Sequence, residues 1–170
     1  MSPHRAASAS NLEDRPHYGE LGATVDLTAY REEVALPRVL VLEDDDDMRE
    51  VLANYLESLP CEVASVANGL EGIRKVMAED FDAIVCDMMM PGLAGDLFYL
   101  AVERTKPDLC ARFVFITAHS GNEKIKYFIR EIGGVILTKP FHMDEMRDAI
   151  RFVMRDAELR KAYRKPERAG

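Results

Sequence analysis

Acidic and cationic side chains stand directly after several short apolar runs of this sequence. Five consecutive carboxylates, residues 43–47, follow Val39–Leu42, and Asp87 follows a second apolar run. Thr117 and Lys139 stand at or near the ends of two more. Crowded carboxylates repel one another unless a cation lies among them, and Mg²⁺ is a hard cation that binds oxygen ligands. A carboxylate beside such a cation can attack phosphorus and form an aspartyl phosphate.

Each of these features also has a simpler explanation when it is taken alone. The five carboxylates can form a solvated loop in which Asp46 or Asp47 caps the next helix. Asp87 can end a strand before the turn at Pro91-Gly92, and the three methionines between them are usually flexible apolar filler. A threonine or a lysine at the end of a strand is commonly just solvated. The relative positions of these residues therefore decide between the two interpretations.

The middle of the chain alternates short β-type runs with helical patterns. The predicted strands are 39–42, 61–66, 83–86, 113–116 and 135–137. The predicted helices are 48–59, 70–78, 95–105, 122–132 and a last one from 143 to 155 or beyond. This alternation predicts an α/β fold, a doubly wound (βα)5 parallel sheet with helices on both faces. The reactive site of such a sheet lies at the carboxyl ends of its strands.

The candidate residues follow four of these strands, so the predicted sheet brings them to one edge. Glu43 and Asp44 with Asp87 can hold Mg²⁺. Phosphoryl transfer requires mainly positioning and charge neutralisation. The metal and Lys139 would supply the positive charge, and the Thr117 hydroxyl would supply a directed donor.

The motifs VLVLEDD, VCDMMMPG, VFITA and ILTKPF occur in an order that resembles the receiver domain of bacterial two-component response regulators, of the single-domain, chemotaxis-regulator-like kind. The resemblance covers residues 38–154. It implies a flavodoxin-like sheet with strand order 2-1-3-4-5 and a phosphoryl group accepted by Asp87 from a sensor histidine kinase or a histidine phosphotransfer protein. Thr117 would bond the phosphoryl group, Lys139 would pair with it, and the Lys139–Pro140 peptide bond would be cis.

The same resemblance implies a set of Mg²⁺ ligands. Asp44 would bind the metal directly, Glu43 would act through water, and Asp87 and the backbone carbonyl of Met89 would complete the protein ligands. Such a domain would catalyse only its own phosphorylation and dephosphorylation, and would signal to partner proteins through a conformational change.

The sequence departs from the family pattern in four ways. Glu43 stands where Asp is commoner, and Ile136 stands where an aromatic switch residue is usual. His119 occupies a position that often tunes the lifetime of the phosphoryl group. Many relatives continue into a DNA-binding domain, whereas this chain ends soon after its last helix, so we expect no direct DNA binding.

Composition limits the function classes. The chain is 48% hydrophobic and 31% charged with a net charge of −8, which fits a globular domain and argues against nucleic-acid binding. It has no apolar run near eighteen residues, so we expect no membrane span. Its N-terminus lacks a basic segment followed by an apolar core, so we expect no secretory signal. Its three cysteines, Cys61, Cys86 and Cys110, suggest no disulfide framework and fit a cytoplasmic protein.

Two extensions flank the predicted receiver domain. Residues 1–37 form an arm with a net charge of −3, and residues 155–170 form a tail with a net charge of +3. An apolar stripe on the last helix lies among arginines, which is typical of a protein interface. We therefore expect a homodimer that uses the fourth helix, fifth strand and fifth helix, with help from the oppositely charged extensions.

Three other functions fit the sequence less well. A haloacid-dehalogenase-type phosphatase needs a general acid two residues after its nucleophile, and Met89 has no proton to give. A phosphorylation-independent scaffold would usually lack the acceptor, the acids or the lysine. A flavodoxin-like nucleotide-binding domain would have a Gly-rich phosphate loop after its first strand.

Overall fold

The computed structural model describes residues 35–119 and 121–163. The strands are β1 (Arg38–Leu42), β2 (Glu62–Val66), β3 (Ala83–Asp87), β4 (Phe113–Thr117) and β5 (Val135–Thr138). The helices are α1 (Asp46–Glu57), α2 (Gly69–Ala78), α3 (Gly95–Thr105), α4 (Glu123–Ile132) and α5 (Met143–Tyr163), with a short 3₁₀ helix at Pro107–Arg112. All strand pairs are parallel and the order is β2-β1-β3-β4-β5. The predicted fold class and strand order are confirmed.

The central strands are continuous apolar runs because helices cover both faces of the sheet. Alternate residues of each strand enter two separate cores, since successive side chains of a strand point to opposite faces. Leu40, Ile84 and Phe115 pack with residues of α2, α3 and α4. Val41 and Val85 pack on the other face with residues of α1 and α5. The two cores hold the strand ends, and hence the polar residues that follow them, in fixed register.

The N-cap of helix α1 lies one residue before the first of the two predicted cap residues. The Asp45 side chain accepts a hydrogen bond of 2.8 Å from the backbone N–H of Met48 and is the N-cap. The prediction of Asp46 or Asp47 was therefore wrong. Both lie in the first helical turn, where their negative charges interact favourably with the positive end of the helix dipole.

Helix α5 is 21 residues long and continues through the first nine residues of the predicted tail. Ala157 is buried, and Arg112 of the 3₁₀ helix lies 3.4 Å from the Glu158 carboxylate. The start of the predicted tail thus packs on the domain. The rest of that tail, and the predicted arm apart from residues 35–37, lie outside the described residues.

Candidate functional site

The carboxyl ends of β1, β3 and β5 meet through one ammonium group. Glu43 directly follows β1, Asp87 ends β3, and Lys139 directly follows β5. The Lys139 Nζ atom lies 2.7 Å from Glu43 Oε2 and 2.6 Å from Asp87 Oδ2. Three of the predicted residues, from distant parts of the sequence, are therefore in direct contact.

The acidic residues form a cluster that suits a small hard cation. Glu43, Asp44 and Asp87 each offer a carboxylate oxygen, and these oxygens lie within 4.8 Å of one another. Glu43 and Asp87 are buried, whereas Asp44 is exposed. Three carboxylates face one ammonium, so negative charge remains for a divalent cation to neutralise. This donor set fits Mg²⁺, which takes carboxylate oxygens and retains some of its waters.

Burial and pairing act on the ionisation of this cluster. Burial raises the pKa of Glu43, the nearby Asp87 charge raises it further, and the hydrogen bond from Lys139 opposes both. Burial lowers the pKa of Lys139, but its hydrogen bonds to Asp87 and Glu43 outweigh that effect and the net shift is upward. The lysine therefore stays charged at neutral pH, and its ammonium offsets the repulsion between the two acids.

Both carboxylate oxygens of Asp87 are held. Oδ2 contacts Lys139, and Oδ1 accepts a hydrogen bond of 2.7 Å from the backbone N–H of Met89. The backbone of Asp87 packs closely against Gly95. A Cβ atom at position 95 would lie 2.6 Å from the Asp87 carbonyl oxygen. The Met89 side chain is exposed. The Asp87 carboxylate is thus fixed by a backbone amide and an ammonium.

Thr117 lies at the same edge, at the end of β4. Its side chain is fully buried, and its Oγ1 accepts a hydrogen bond of 3.0 Å from the backbone N–H of His119. The Thr117 carbonyl accepts from the backbone N–H of Lys139 at 2.8 Å. The Lys139–Pro140 bond is cis, as the resemblance implied. Thr117 therefore connects β5 to the loop that leads into α4.

A family model described as the response regulator receiver domain matches residues 39–151. This match spans about two thirds of the chain and contains every candidate site residue. The chain belongs to the response regulator receiver family. Receiver domains are signalling domains of two-component systems, so the predicted family is confirmed.

The receiver domain is similar to proteins of several kinds. It is 33% identical over 130 residues to nodulation protein W of Bradyrhizobium diazoefficiens, and the aligned region covers 74% of this chain and 55% of that protein. It is 29% identical over 115 residues to the response regulator receiver protein CpdR of Brucella abortus, and the aligned region covers 68% of this chain and 94% of that protein. The structure of TrrA from Thermotoga maritima, in complex with Mg²⁺ and BeF, shares the fold with a TM-score of 0.62 and 24% identity over 69% of this chain and 99% of that one.

The chain spans only 15–55% of the length of the first four curated relatives it matches. Two relatives, DctD of Rhizobium meliloti and TcrA of Mycobacterium tuberculosis, are named transcriptional regulatory proteins. The expectation that this receiver does not bind DNA directly therefore stays a prediction. Among the described residues, no helix is both long and apolar enough to cross a membrane.

Two features of this receiver were not anticipated from the sequence. Ile136, in the usual place of the aromatic switch, is half-buried and pairs in the sheet with Phe115, one of a group of five aromatic rings. Neighbouring rings of this group have centroids 5.1–5.9 Å apart, and the rings are Phe98, Tyr99, Phe113, Phe115 and Phe128. Arg49 was also missed, although its spacing from Asp46 is that of a helical ion pair. Its guanidinium donates a hydrogen bond of 2.9 Å to the Glu43 carbonyl.

Proposed function

We propose that this receiver domain accepts a phosphoryl group on Asp87 from a sensor histidine kinase or a histidine phosphotransfer protein, with Mg²⁺ as cofactor. The observation that carries the proposal is the contact of Lys139 with both Asp87 and Glu43 at 2.6 and 2.7 Å. This contact places a fixed positive charge beside a buried nucleophilic carboxylate. Positioning and charge neutralisation are what phosphoryl transfer requires.

The residues of the site divide the chemistry among them. A carboxylate oxygen of Asp87 forms the new P–O bond while the P–N bond of the phosphohistidine donor breaks. The Met89 N–H and the Lys139 ammonium fix that carboxylate before the reaction. Lys139 then pairs with an oxygen of the transferred group, and the buried Thr117 hydroxyl donates to another.

Three carboxylates support the metal part of the proposal. Asp44 and Asp87 would bind Mg²⁺ directly, Glu43 would act through water, and the Met89 carbonyl would complete the protein ligands. When bound, Mg²⁺ neutralises charge that develops on the phosphoryl oxygens. TrrA, whose structure holds Mg²⁺ and BeF, shows that a neighbour in fold binds this combination.

The first prediction tests this function by intact mass spectrometry. We expect the full chain, incubated with Mg²⁺ and acetyl phosphate, to gain the mass of one phosphoryl group. Asp87→Asn removes the nucleophilic oxygen anion while keeping the shape, so it should gain none. Asp80→Asn changes an exposed aspartate that precedes β3, at the opposite end of that strand from Asp87, and should be labelled like the parent. Equal labelling of Asp87→Asn and the parent would refute the assignment, and an unlabelled parent would favour a phosphorylation-independent scaffold.

A further inference from the structure

Two cationic side chains contact Glu43, Lys139 at its carboxylate and Arg49 at its backbone carbonyl. Lys139 binds the buried carboxylates of Glu43 and Asp87. The Arg49 guanidinium donates through Nη1 to the Glu43 carbonyl at 2.9 Å and through Nη2 to the Asp46 carboxylate. The Arg49 side chain is only 20% exposed. Its guanidinium is thus bound to a backbone atom of the loop rather than to the carboxylates of the metal cluster.

The start of α1 fixes where this guanidinium lies. Asp45 caps the helix, and its carbonyl accepts a hydrogen bond of 2.9 Å from the Arg49 backbone N–H. Asp46 lies one helical turn before Arg49 and pairs with its side chain. The guanidinium is therefore anchored to the first turn of α1 and reaches back to the residue that follows β1.

The Glu43 carbonyl belongs to the peptide group that links Glu43 to Asp44. Because a peptide group is planar, holding its oxygen limits the rotation that would swing the Asp44 carboxylate away from the cluster. Asp44 is exposed and lacks the packing that holds Glu43 and Asp87. We propose that Arg49 is a positioning residue of the Mg²⁺ site, which it keeps assembled by fixing the Glu43–Asp44 peptide. This inference rests on the proposed function.

The positioning role of Arg49 and its positive charge predict opposite changes in Mg²⁺ affinity when Arg49 is replaced. A positive charge near a divalent cation repels it, so charge alone predicts tighter Mg²⁺ binding after Arg49→Met. Loss of the fixed peptide predicts weaker binding. Residues that orient metal ligands from outside the coordination shell typically contribute about tenfold to a hundredfold in metal affinity. The sign of the change therefore distinguishes the two effects.

The experiment is a calorimetric titration of the full chain with Mg²⁺. We expect Arg49→Met to weaken Mg²⁺ binding by about tenfold or more. Arg49→Lys keeps the charge and one donor, so part of the affinity should return. Arg147→Met is the matched control, because Arg147 pairs with Asp144 at the same spacing in the first turns of α5. Its Mg²⁺ affinity should equal that of the parent.

A second measurement separates positioning from a loss of folding or of chemistry. The contacts of Asp87 with Lys139 and Met89 do not involve Arg49, so phosphorylation of Arg49→Met by acetyl phosphate should reach the parent rate at saturating Mg²⁺. Mg²⁺ binding by Arg49→Met as tight as the parent's, or tighter, would overturn the inference while leaving the proposed function intact. A rate that stays low at saturating Mg²⁺ would also overturn it. A parent that does not bind Mg²⁺ would overturn the proposed metal site as well.

Discussion

Lys139 is the residue on which the charge balance of the site depends. Its side chain is 23% exposed, and its ammonium contacts Glu43 and Asp87, whose side chains are 2% and 7% exposed. Buried carboxylates keep their charge only when they are paired and hydrogen-bonded. The lysine thus has a structural role before any phosphoryl group arrives.

The second prediction concerns the stability of Lys139→Met without Mg²⁺. Its free energy of unfolding at about pH 7 should fall by about 3 kcal/mol, because Glu43 and Asp87 lose their partner. Burial already raises the pKa of Glu43, and loss of the lysine removes the hydrogen bond that opposes this. The folded state would then bind a proton more tightly than the unfolded chain, so stability should recover as the pH falls through the raised pKa of Glu43.

Urea unfolding between about pH 7.5 and about pH 5 measures this recovery. The control is Lys139→Met combined with Glu43→Gln, which has no carboxylate to protonate at this position. The double variant should recover less than the single variant. Parallel pH profiles for the two would show that Glu43 does not carry the penalty.

At the scale of single residues, the sequence predicted the candidate residues but not all their contacts. Residue type and position after an apolar run were enough to select Glu43, Asp87 and Lys139. The N-cap and the role of Arg49 were missed because both depend on the residue at which α1 begins. Helix boundaries are set by local hydrogen bonds that five consecutive carboxylates could each have made.

The loop between β4 and α4 connects the site to a helix. In the structure Thr117 Oγ1 accepts from the His119 backbone N–H. Asn122 then caps α4 by accepting from the backbone N–H groups of Lys124 and Ile125. If the Thr117 side chain rotates so that its oxygen moves toward a phosphoryl group on Asp87, the hydrogen bond that this oxygen accepts from His119 is lost and the loop before α4 is free to move.

The third prediction follows from this connection. Phosphorylation should shift backbone amide resonances of His119 and of the first turn of α4, in addition to those near Asp87. Because half-buried Ile136 has no aromatic ring to move between pockets, the signal should depend on Thr117. Thr117→Ala should therefore confine the shifts to the neighbourhood of Asp87. Shifts in α4 that persist in Thr117→Ala would contradict this route.

At the scale of elements, all five strands and five α-helices of the described residues could be predicted, because buried parallel strands and amphipathic helices have distinct periodicities. The length of α5 could not be settled. Its later turns contact the domain through Ala157, and an alanine gives little hydrophobic signal. The aromatic group around Phe115 also escaped prediction, since it joins residues of α3, β4 and α4 that only the sheet order brings together.

At the scale of the whole molecule, α4 and α5 each carry an exposed aromatic side chain. Tyr127 is 58% exposed and Phe152 is 60% exposed. The Arg130 guanidinium lies 5.6 Å from the centre of the Tyr127 ring. Ile150 and Val153 are buried, so they cover the sheet and are not available to a partner. Aromatic residues with arginines nearby are enriched in protein interfaces.

The fourth prediction is that the full chain forms a homodimer through α4, β5 and α5, with Phe152 buried in the contact. Sedimentation at tens of micromolar, with and without phosphorylation, measures the mass. Phe152→Asp should shift the equilibrium toward monomer, because a carboxylate would lose its water in an apolar interface. Leu70→Asp on α2 is the matched control, since Leu70 is 58% exposed and lies on a different helix. The Leu70→Asp variant should form dimers to the same extent as the parent.

The two variants also locate the interface if the chain dimerises in another way. Dimers that persist in Phe152→Asp and dissociate in Leu70→Asp would place the contact on α2 rather than on α5. A parent that stays monomeric in both phosphorylation states would remove the dimer from the proposal. Loss of the dimer would leave the proposed Mg²⁺ and phosphoryl chemistry intact, because that chemistry takes place at the strand ends.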